Sequence, residues 1–336
     1  MPEISKKTIA VIITGLSFII IAALISGAGL YLTRPLQDRG EDQVFIINEG
    51  MALKEISSDL EQRGLIRSKF VFMVWARIMG YSRKIKAGEY KLNPSMAPIR
   101  IMEILTRGVI LTHTVTIPEG FSIEQIAGVL FKQDLAPRDE FIAYALKSDS
   151  PSIYGIEAPS LEGYLYPDTY FFARGLSVSS IVDVMVSRFK EMISPLNGRI
   201  GQSGMSLNEV ITLASIIEKE TGREEERPLI ASVFLNRLRK KMRLESDPTV
   251  IYGIKNFSGN LQKKDLLYHT PYNTYLIRGL PPGPIASPGL ASVMAVLSPA
   301  DTDFLYFVSK NDGSHYFSKT LLEHNRAVNM FQKNKR

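Results

Sequence analysis

The 336-residue chain contains no cysteine. That absence excludes disulfides, thiolate metal sites and cysteine nucleophiles together. Its four histidines, His113, His269, His315 and His324, show no metal-ligand spacing. No nucleic-acid module is recognisable, so nucleic acid is not an expected partner. The formal charge of +6 is spread along the chain, and a basic balance draws anionic partners in general. The one short basic cluster, Arg237, Arg239, Lys240, Lys241 and Arg243, reads as a helix C-terminus, where cations oppose the dipole. Hydrophobic residues make up 45% of the chain, which supports a sizeable core and excludes global disorder.

Charge is missing altogether from Thr8 to Leu32. At 1.5 Å per residue, a helix over that stretch crosses a bilayer core of roughly 30 Å with some tilt. A cleaved signal peptide is the alternative, but the run is longer than the usual signal-peptide apolar region, and Ser26–Ala28 is a poor cleavage site. Lys6 and Lys7 precede the run. Arg34 and Arg39 follow it, mixed with Asp38, Glu41 and Asp42. The positive-inside rule then puts the N-terminus in the cytoplasm. The expected layout is a cytoplasmic N-terminus over 1–7, a single membrane span over 8–32 and a linker over 33–43. The bulk of the chain would lie outside the cytoplasm, held at the cytoplasmic membrane. ATP and most soluble cofactors are scarce there, which favours hydrolytic or lyase chemistry.

Two segments resemble each other. "VFIINEGMALKEISSDLEQRGLI" (Val44–Ile66) and "TVTIPEGFSIEQIAGVLFKQDLA" (Thr114–Ala136) share a Glu-Gly pair, at 49–50 and 119–120. At the same offset of 70 (119 − 49), Ile56 matches Ile126, Leu60 matches Leu130 and Leu65 matches Leu135. Each copy reads as strand, turn and amphipathic helix. "GEYKL" (Gly88–Leu92) reads as a strand, and "PIRIMEILTRG" (Pro98–Gly108) as a helix with a glycine stop. One small module over 44–110 is expected, with the second unit at 114–148 leading into a larger domain over 111–336. From Pro159 the texture changes. "SLEGYLYPDTYFF" is dense in aromatics, and "HTPYNTYLIRGLPPGPIASPG" (His269–Gly289) is too rich in proline for a helix or a central strand. A long ordered loop of that kind is usually functional. "FLYFVSKNDGSHYFSKT" (Phe304–Thr320) reads as a hairpin, and a closing helix follows.

The glutamate-rich stretch Ile211–Pro228 raises the question of which acid does chemistry. Ser206 and Glu209 form a capping-box pattern, and Gly222 is the expected stop. On a helical wheel Leu207, Ile211, Ala214 and Glu218 fall within about 40°. Glu218 therefore continues the apolar stripe, whereas Glu220 points almost the opposite way. Glu224, Glu225 and Glu226 read as ordinary acidic residues ahead of the next helix. A carboxyl on an apolar face loses hydration and holds its proton, as a general acid needs. The same position also suits an architectural glutamate paired with a buried arginine or with backbone.

Five motifs occur in order: "EGYLYPDTY" (Glu162–Tyr170), "LASIIEKET" (Leu213–Thr221), "SDPTVIYG" (Ser246–Gly253), "YNTY" (Tyr272–Tyr275) and "GLPPGPI" (Gly279–Ile285). Together with the N-terminal apolar run they resemble the endolytic murein transglycosylases, the YceG-like family, over nearly the whole chain. The resemblance implies an α+β protein with a transmembrane helix, a small LysM-like module and a mixed α+β catalytic domain. It implies cleavage of the β-1,4 bond within nascent peptidoglycan strands, leaving 1,6-anhydro-N-acetylmuramic acid ends and limiting strand elongation. The catalytic glutamate of the family falls on Glu218, which protonates the glycosidic oxygen and then takes the proton of the sugar's own C6 hydroxyl. No cofactor is expected. The matched motifs offer Glu162, Asp168, Asn236, Asp247, Asn273 and Thr274 as polar contacts to glycan, and Tyr166, Tyr170 and Tyr272 as aromatic ones; each also has a structural reading, as turn or core residue. Peptidoglycan strands are the expected partner, with peptidoglycan synthases of the penicillin-binding class as a further one. Three alternatives stay open: a muramidase using a second carboxylate such as Asp247 or Glu162, a non-catalytic glycan-binding scaffold, and a pyridoxal-phosphate enzyme on Lys219.

Overall fold

The structure is a computed structural model and describes residues 6–255 and 257–333. It opens with helix α1, Lys6–Thr33. Among the described residues no helix is long and apolar enough to cross a membrane. The side chains at 6–13, 21, 24, 25 and 28 lie outside that description, as do residues 1–5 of the expected cytoplasmic N-terminus. Leu16, Phe18, Ile19 and Ile20 of α1 are exposed.

The chain divides into two compact units. One runs to His113 and includes Ala173–Gly175; the other holds Thr114–Phe172 and everything from Leu176. In the first unit β1 (Gln43–Ile47), α2 (Leu53–Gln62), α3 (Lys69–Ile78) and β2 (Gly88–Leu92) follow in order, and α4 (Pro98–Arg107) closes it. β1 and β2 pair antiparallel with Phe45 opposite Tyr90. The strand period of two turns Phe45 and Ile47 inward and leaves Val44 and Ile46 exposed. They meet Ile56 and Leu60 of α2, Phe72 of α3 and Ile101 and Leu105 of α4 in one core. Pro98 in the first turn of α4 and the left-handed Gly108 (φ 72°) bound that helix where the sequence places its ends. The end of α1 joins this unit: Tyr31 donates to the carbonyl of Ser68, which caps α3 (2.7 Å).

The second copy of the repeat goes further than its sequence match. β3 (His113–Thr116), α5 (Ile123–Lys132) and α6 (Arg138–Leu146) lead through the short α7 (Ser150–Ile153) to β4 (Thr169–Phe172), and β3 pairs with β4. Both copies thus run from a strand through two helices to a pairing strand, the second with the short α7 added before its closing strand. The closing strand of the second lies in the aromatic stretch, where longer connections conceal the match. Next come α8 (Val178–Ile193), α9 (Asn197–Ser203), α10 (Leu207–Glu220), α11 (Arg227–Arg239), α12 (Asp247–Gly253) and α13 (Leu290–Leu297). The hairpin β5 (Tyr306–Ser309) and β6 (His315–Ser318) and helix α14 (Leu321–Val328) end the unit; of the closing helix, 334–336 lie outside the described residues.

Helix α10 corrects the wheel. Its capping box forms as expected, but every residue from Val210 to Ile217 is buried. Over that span the helix is a central rod, and the side opposite the apolar stripe does not face water there. It stops at Thr221 in extended conformation, one residue before the expected Gly222. The proline-rich loop is ordered against it. Ile285 N–H donates to Ser215 Oγ (3.1 Å), and Ser287 exchanges backbone bonds with Gly120 and Phe121 (2.8 Å each). Gly163 makes room for this loop: at φ 83° it sits where a Cβ would fall 2.5 Å from Pro284.

Leu60 and Leu130 occupy matched positions and are both fully buried. Leu60→Ala and Leu130→Ala are each expected to cost ~2–5 kcal/mol, read as a lowered denaturant midpoint. An unchanged midpoint for either would contradict its place in the core.

Candidate active site

Glu218 stands in the last turn of α10, where the helix dipole disfavours an anion. Three donors from elsewhere in the unit compensate. Arg227 Nη2, from the start of α11, lies 3.0 Å from Oε1. Gly289 N–H (3.0 Å) and Ser292 Oγ (2.7 Å), at the start of α13, both reach Oε2. The carboxylate therefore sits at the positive end of α13, where backbone N–H groups and dipole favour negative charge. The expectation of a bare acid on an apolar face is corrected: the side chain is buried, but it is fully partnered. Both partners of the architectural reading, a buried arginine and a backbone N–H, are present. Ser292 adds a hydroxyl, a group that can both donate and accept.

A second carboxylate shares the arginine. Glu119 Oε2 lies 3.5 Å from the same Nη2. Burial, and then the charge of Glu218, raise Glu119 above the ordinary carboxylate range, against the pull of Arg227. Its turn is held by Lys219, whose Nζ donates to the Gly120 carbonyl (3.1 Å). Beside it opens a cavity of about 400 Å³ with apolar walls from Ile251, Tyr252, Ile254, Phe257 and Ile285 and a polar edge from Ser122, Gln125 and Lys219.

On the other side of α10, Glu220 lines a polar cavity of about 240 Å³ with Arg237, Glu245, Asp247, Tyr275 and His324. Desolvation pushes its carboxyl up to about 7, Ser246 Oγ (2.5 Å) opposes the rise, and the charge of Asp247 adds to it. Glu226 is not ordinary surface decoration either. It is buried and accepts from His315 N–H (2.8 Å) and Nδ1 (2.6 Å).

The YceG-like family model matches residues 45–330. The chain belongs to the YceG-like family. A protein of Bacillus subtilis strain 168 named endolytic murein transglycosylase is 36% identical over 325 residues, 90% of each chain. A protein of the same name from Streptococcus pneumoniae D39 is 30% identical over 93% of this chain and 64% of its own length. The solved structure of a YceG-like protein from Listeria monocytogenes, 34% identical, superposes with a TM-score of 0.58, covering 86% of this chain and 99% of that one.

Within this YceG-like fold the other sequence candidates fall into separate places. Asp247 is exposed and accepts from Tyr275 OH (2.7 Å) in the Glu220 cavity. Asn236 is buried and donates to the carbonyls of Thr302 and Phe304 (2.8 and 2.9 Å). Asn273 donates to Leu266 and Tyr268 (3.0 and 2.8 Å), and Thr274 bonds Ser246 N–H (2.9 Å), so both knit loop to loop inside the unit. Tyr272 packs on Tyr252 with centroids 4.8 Å apart. Tyr166 and Tyr170 are core residues, joined by a bond from Tyr170 OH to the Tyr166 carbonyl (2.5 Å). Asp168 pairs with Arg188 (2.6 Å). Glu162 is buried, and takes Ile123 N–H (3.1 Å) at the start of α5 and Tyr252 OH (3.1 Å). Its carboxylate is committed to the core rather than offered to a sugar.

The sequence reading passed over Glu119, Arg227, Gly289 and Ser292. Arg227 carried a signal: a cation in the first turn of a helix opposes the dipole, so it needed an acid elsewhere. Burial raises Glu162 to about 8, against its hydrogen bonds from Ile123 and Tyr252. Because the folded value is raised, stability is fullest below the ordinary glutamate range and falls as pH climbs towards 8. Glu162→Gln should therefore gain on wild type between about pH 4.5 and about pH 8, by about 1.4 kcal/mol per unit crossed. Denaturant midpoints with a pH-independent difference would sink this account.

Proposed function

We propose that this protein is a membrane-anchored endolytic lytic transglycosylase of peptidoglycan, with Glu218 as both acid and base. The observation that carries the reading is the convergence of Arg227, Gly289 N–H and Ser292 Oγ on one buried carboxylate, in a family whose named relatives are endolytic murein transglycosylases. Glu218 delivers its proton to the O4 leaving oxygen as the C1–O4 bond breaks. The C6 hydroxyl of the same muramyl residue closes on C1 and returns its proton to Glu218. One carboxyl ends as it began, and the product carries a 1,6-anhydro end. General acid–base catalysis of this kind contributes roughly 10²–10⁴-fold. The ordered loop over Glu218 fixes the geometry, and the apolar cavity beside Lys219 suits a sugar face.

The first unit supports a LysM-like reading by its strand-helix-helix-strand order, as a glycan-holding module or as a spacer. For the anchor, the support is a 28-residue helix whose sequence carries no charge from Thr8 to Leu32. We assign the catalytic unit to the outer face of the inner membrane, where nascent strands are made and peptidoglycan synthases are the natural neighbours.

A muramidase reading keeps one supporting observation: Glu220 and Asp247 line a single cavity, and burial pushes the Glu220 carboxyl up to about 7. Product ends decide. Mass spectrometry of uncrosslinked glycan strands after digestion should give anhydro ends with wild type and with Glu220→Gln. Glu218→Gln should lose at least about 10²-fold of that rate. Reducing ends, or an active Glu218→Gln, would overturn the assignment.

A further inference from the structure

We propose that Glu119 is a positioning residue for this reaction: coupled to Glu218 through one nitrogen of Arg227, it sets how tightly Glu218 holds its proton. The proposal rests on Glu218 being the acid and base.

Arg227 Nη2 lies 3.0 Å from Glu218 Oε1 and 3.5 Å from Glu119 Oε2. The side chains of Arg227 and Glu218 are 6% exposed, whereas Glu119 is 48% exposed. Nε and Nη1 of Arg227 are buried without a hydrogen-bond partner, so the two carboxylates compete for Nη2 alone. Gly289 touches both acids. Its N–H donates to Glu218, and a Cβ on it would fall 1.9 Å from Glu119 Oε1. The absence of a side chain at 289 is what lets Glu119 reach the arginine. The turn carrying Glu119 is built into place by Gly120 N–H on the Ser287 carbonyl and by Lys219 on the Gly120 carbonyl.

Two acids face one nitrogen of the same cation, and carboxylates so placed do not ionise independently. The other groups facing the pair are Glu224 (3.6 Å from Arg227 Nη1), Lys219, the Ser292 hydroxyl and the Tyr166 phenol. Removing the charge of Glu119 leaves Nη2 of Arg227 to Glu218, with Glu224 still at Nη1. The ionised form of Glu218 is then favoured, and it gives up its proton at lower pH. Activity needs that proton, so the basic limb of the pH profile must move down.

The test is the pH dependence of anhydro-end formation by the full-length protein in detergent. Glu119→Gln should move the basic limb of kcat down by about one unit or more. At neutral pH it should lose about tenfold in kcat, with KM little changed and activity recovered in acid. Gly289→Ala is a second route to the same state. Its backbone, φ −73°, is ordinary for alanine, and the new methyl displaces the Glu119 carboxylate. It should shift the limb the same way, and the double variant should shift it no further. A basic limb that stays put in both variants, or a loss equal at every pH, overturns the role of Glu119. Glu218→Gln run alongside separates the two readings. If it is inactive while the limb stays put, only Glu119 is misassigned; if it is active, both readings fall.

Discussion

A buried arginine at the wrong end of a helix is the constraint on which the site depends. Arg227 begins α11, where the dipole opposes a cation, and Glu218 ends α10, where it opposes an anion. Each is unfavourable alone, and together they satisfy one another at 3.0 Å. Removing one member of such a pair takes the nearest partner from the other buried charge, a loss that costs up to about 3–5 kcal/mol when nothing replaces it. The pair therefore locks the α10–α11 corner, and α13 is drawn to it because its first N–H and Ser292 complete the carboxylate's shell. The proline-rich loop follows, since it must deliver Gly289 to that point.

The two strand-turn-helix units differ in what surrounds their matched glutamates. Glu49 and Glu119 hold matched places after the first strands of their units. Glu49 is exposed. Glu119 faces an arginine, a glycine and a second acid that the first unit does not contain. The difference lies in what the rest of the second unit brings up to the turn. A glycine at 289 and a lysine at 219 turn a surface acid into a neighbour of Glu218.

Local elements were legible in the sequence because they rest on local physics. The strand at 88–92, the helix at 98–107 with its glycine stop and the Ser206 capping box follow from period, cap and punctuation. Glu218 stood out by the same means, though for a partly mistaken reason. The wheel assumed that a helix has a wet side, and α10 has none between Val210 and Ile217. That is why Glu220, set aside as outward-facing, lines a cavity with a carboxyl raised to about 7. The partners of Glu218 were illegible because they are 9, 71 and 74 residues away in the chain, and no periodicity encodes such a meeting. The motif polar residues Asn236, Asn273 and Thr274 look like ligand contacts in sequence, but their hydrogen bonds hold loops together.

The central claim is that glycan is cut at Glu218, between α10 and α13. The most direct measurement is a crystal structure of the full-length Glu218→Gln protein with an uncrosslinked glycan tetrasaccharide. The account predicts the scissile glycosidic oxygen within about 3 Å of the residue-218 amide, with the muramyl C6 hydroxyl on the same side and sugar running into the cavity beside Lys219. A tetrasaccharide seated across Glu220 and Asp247, with residue 218 still closed against Arg227 and untouched by sugar, would contradict it.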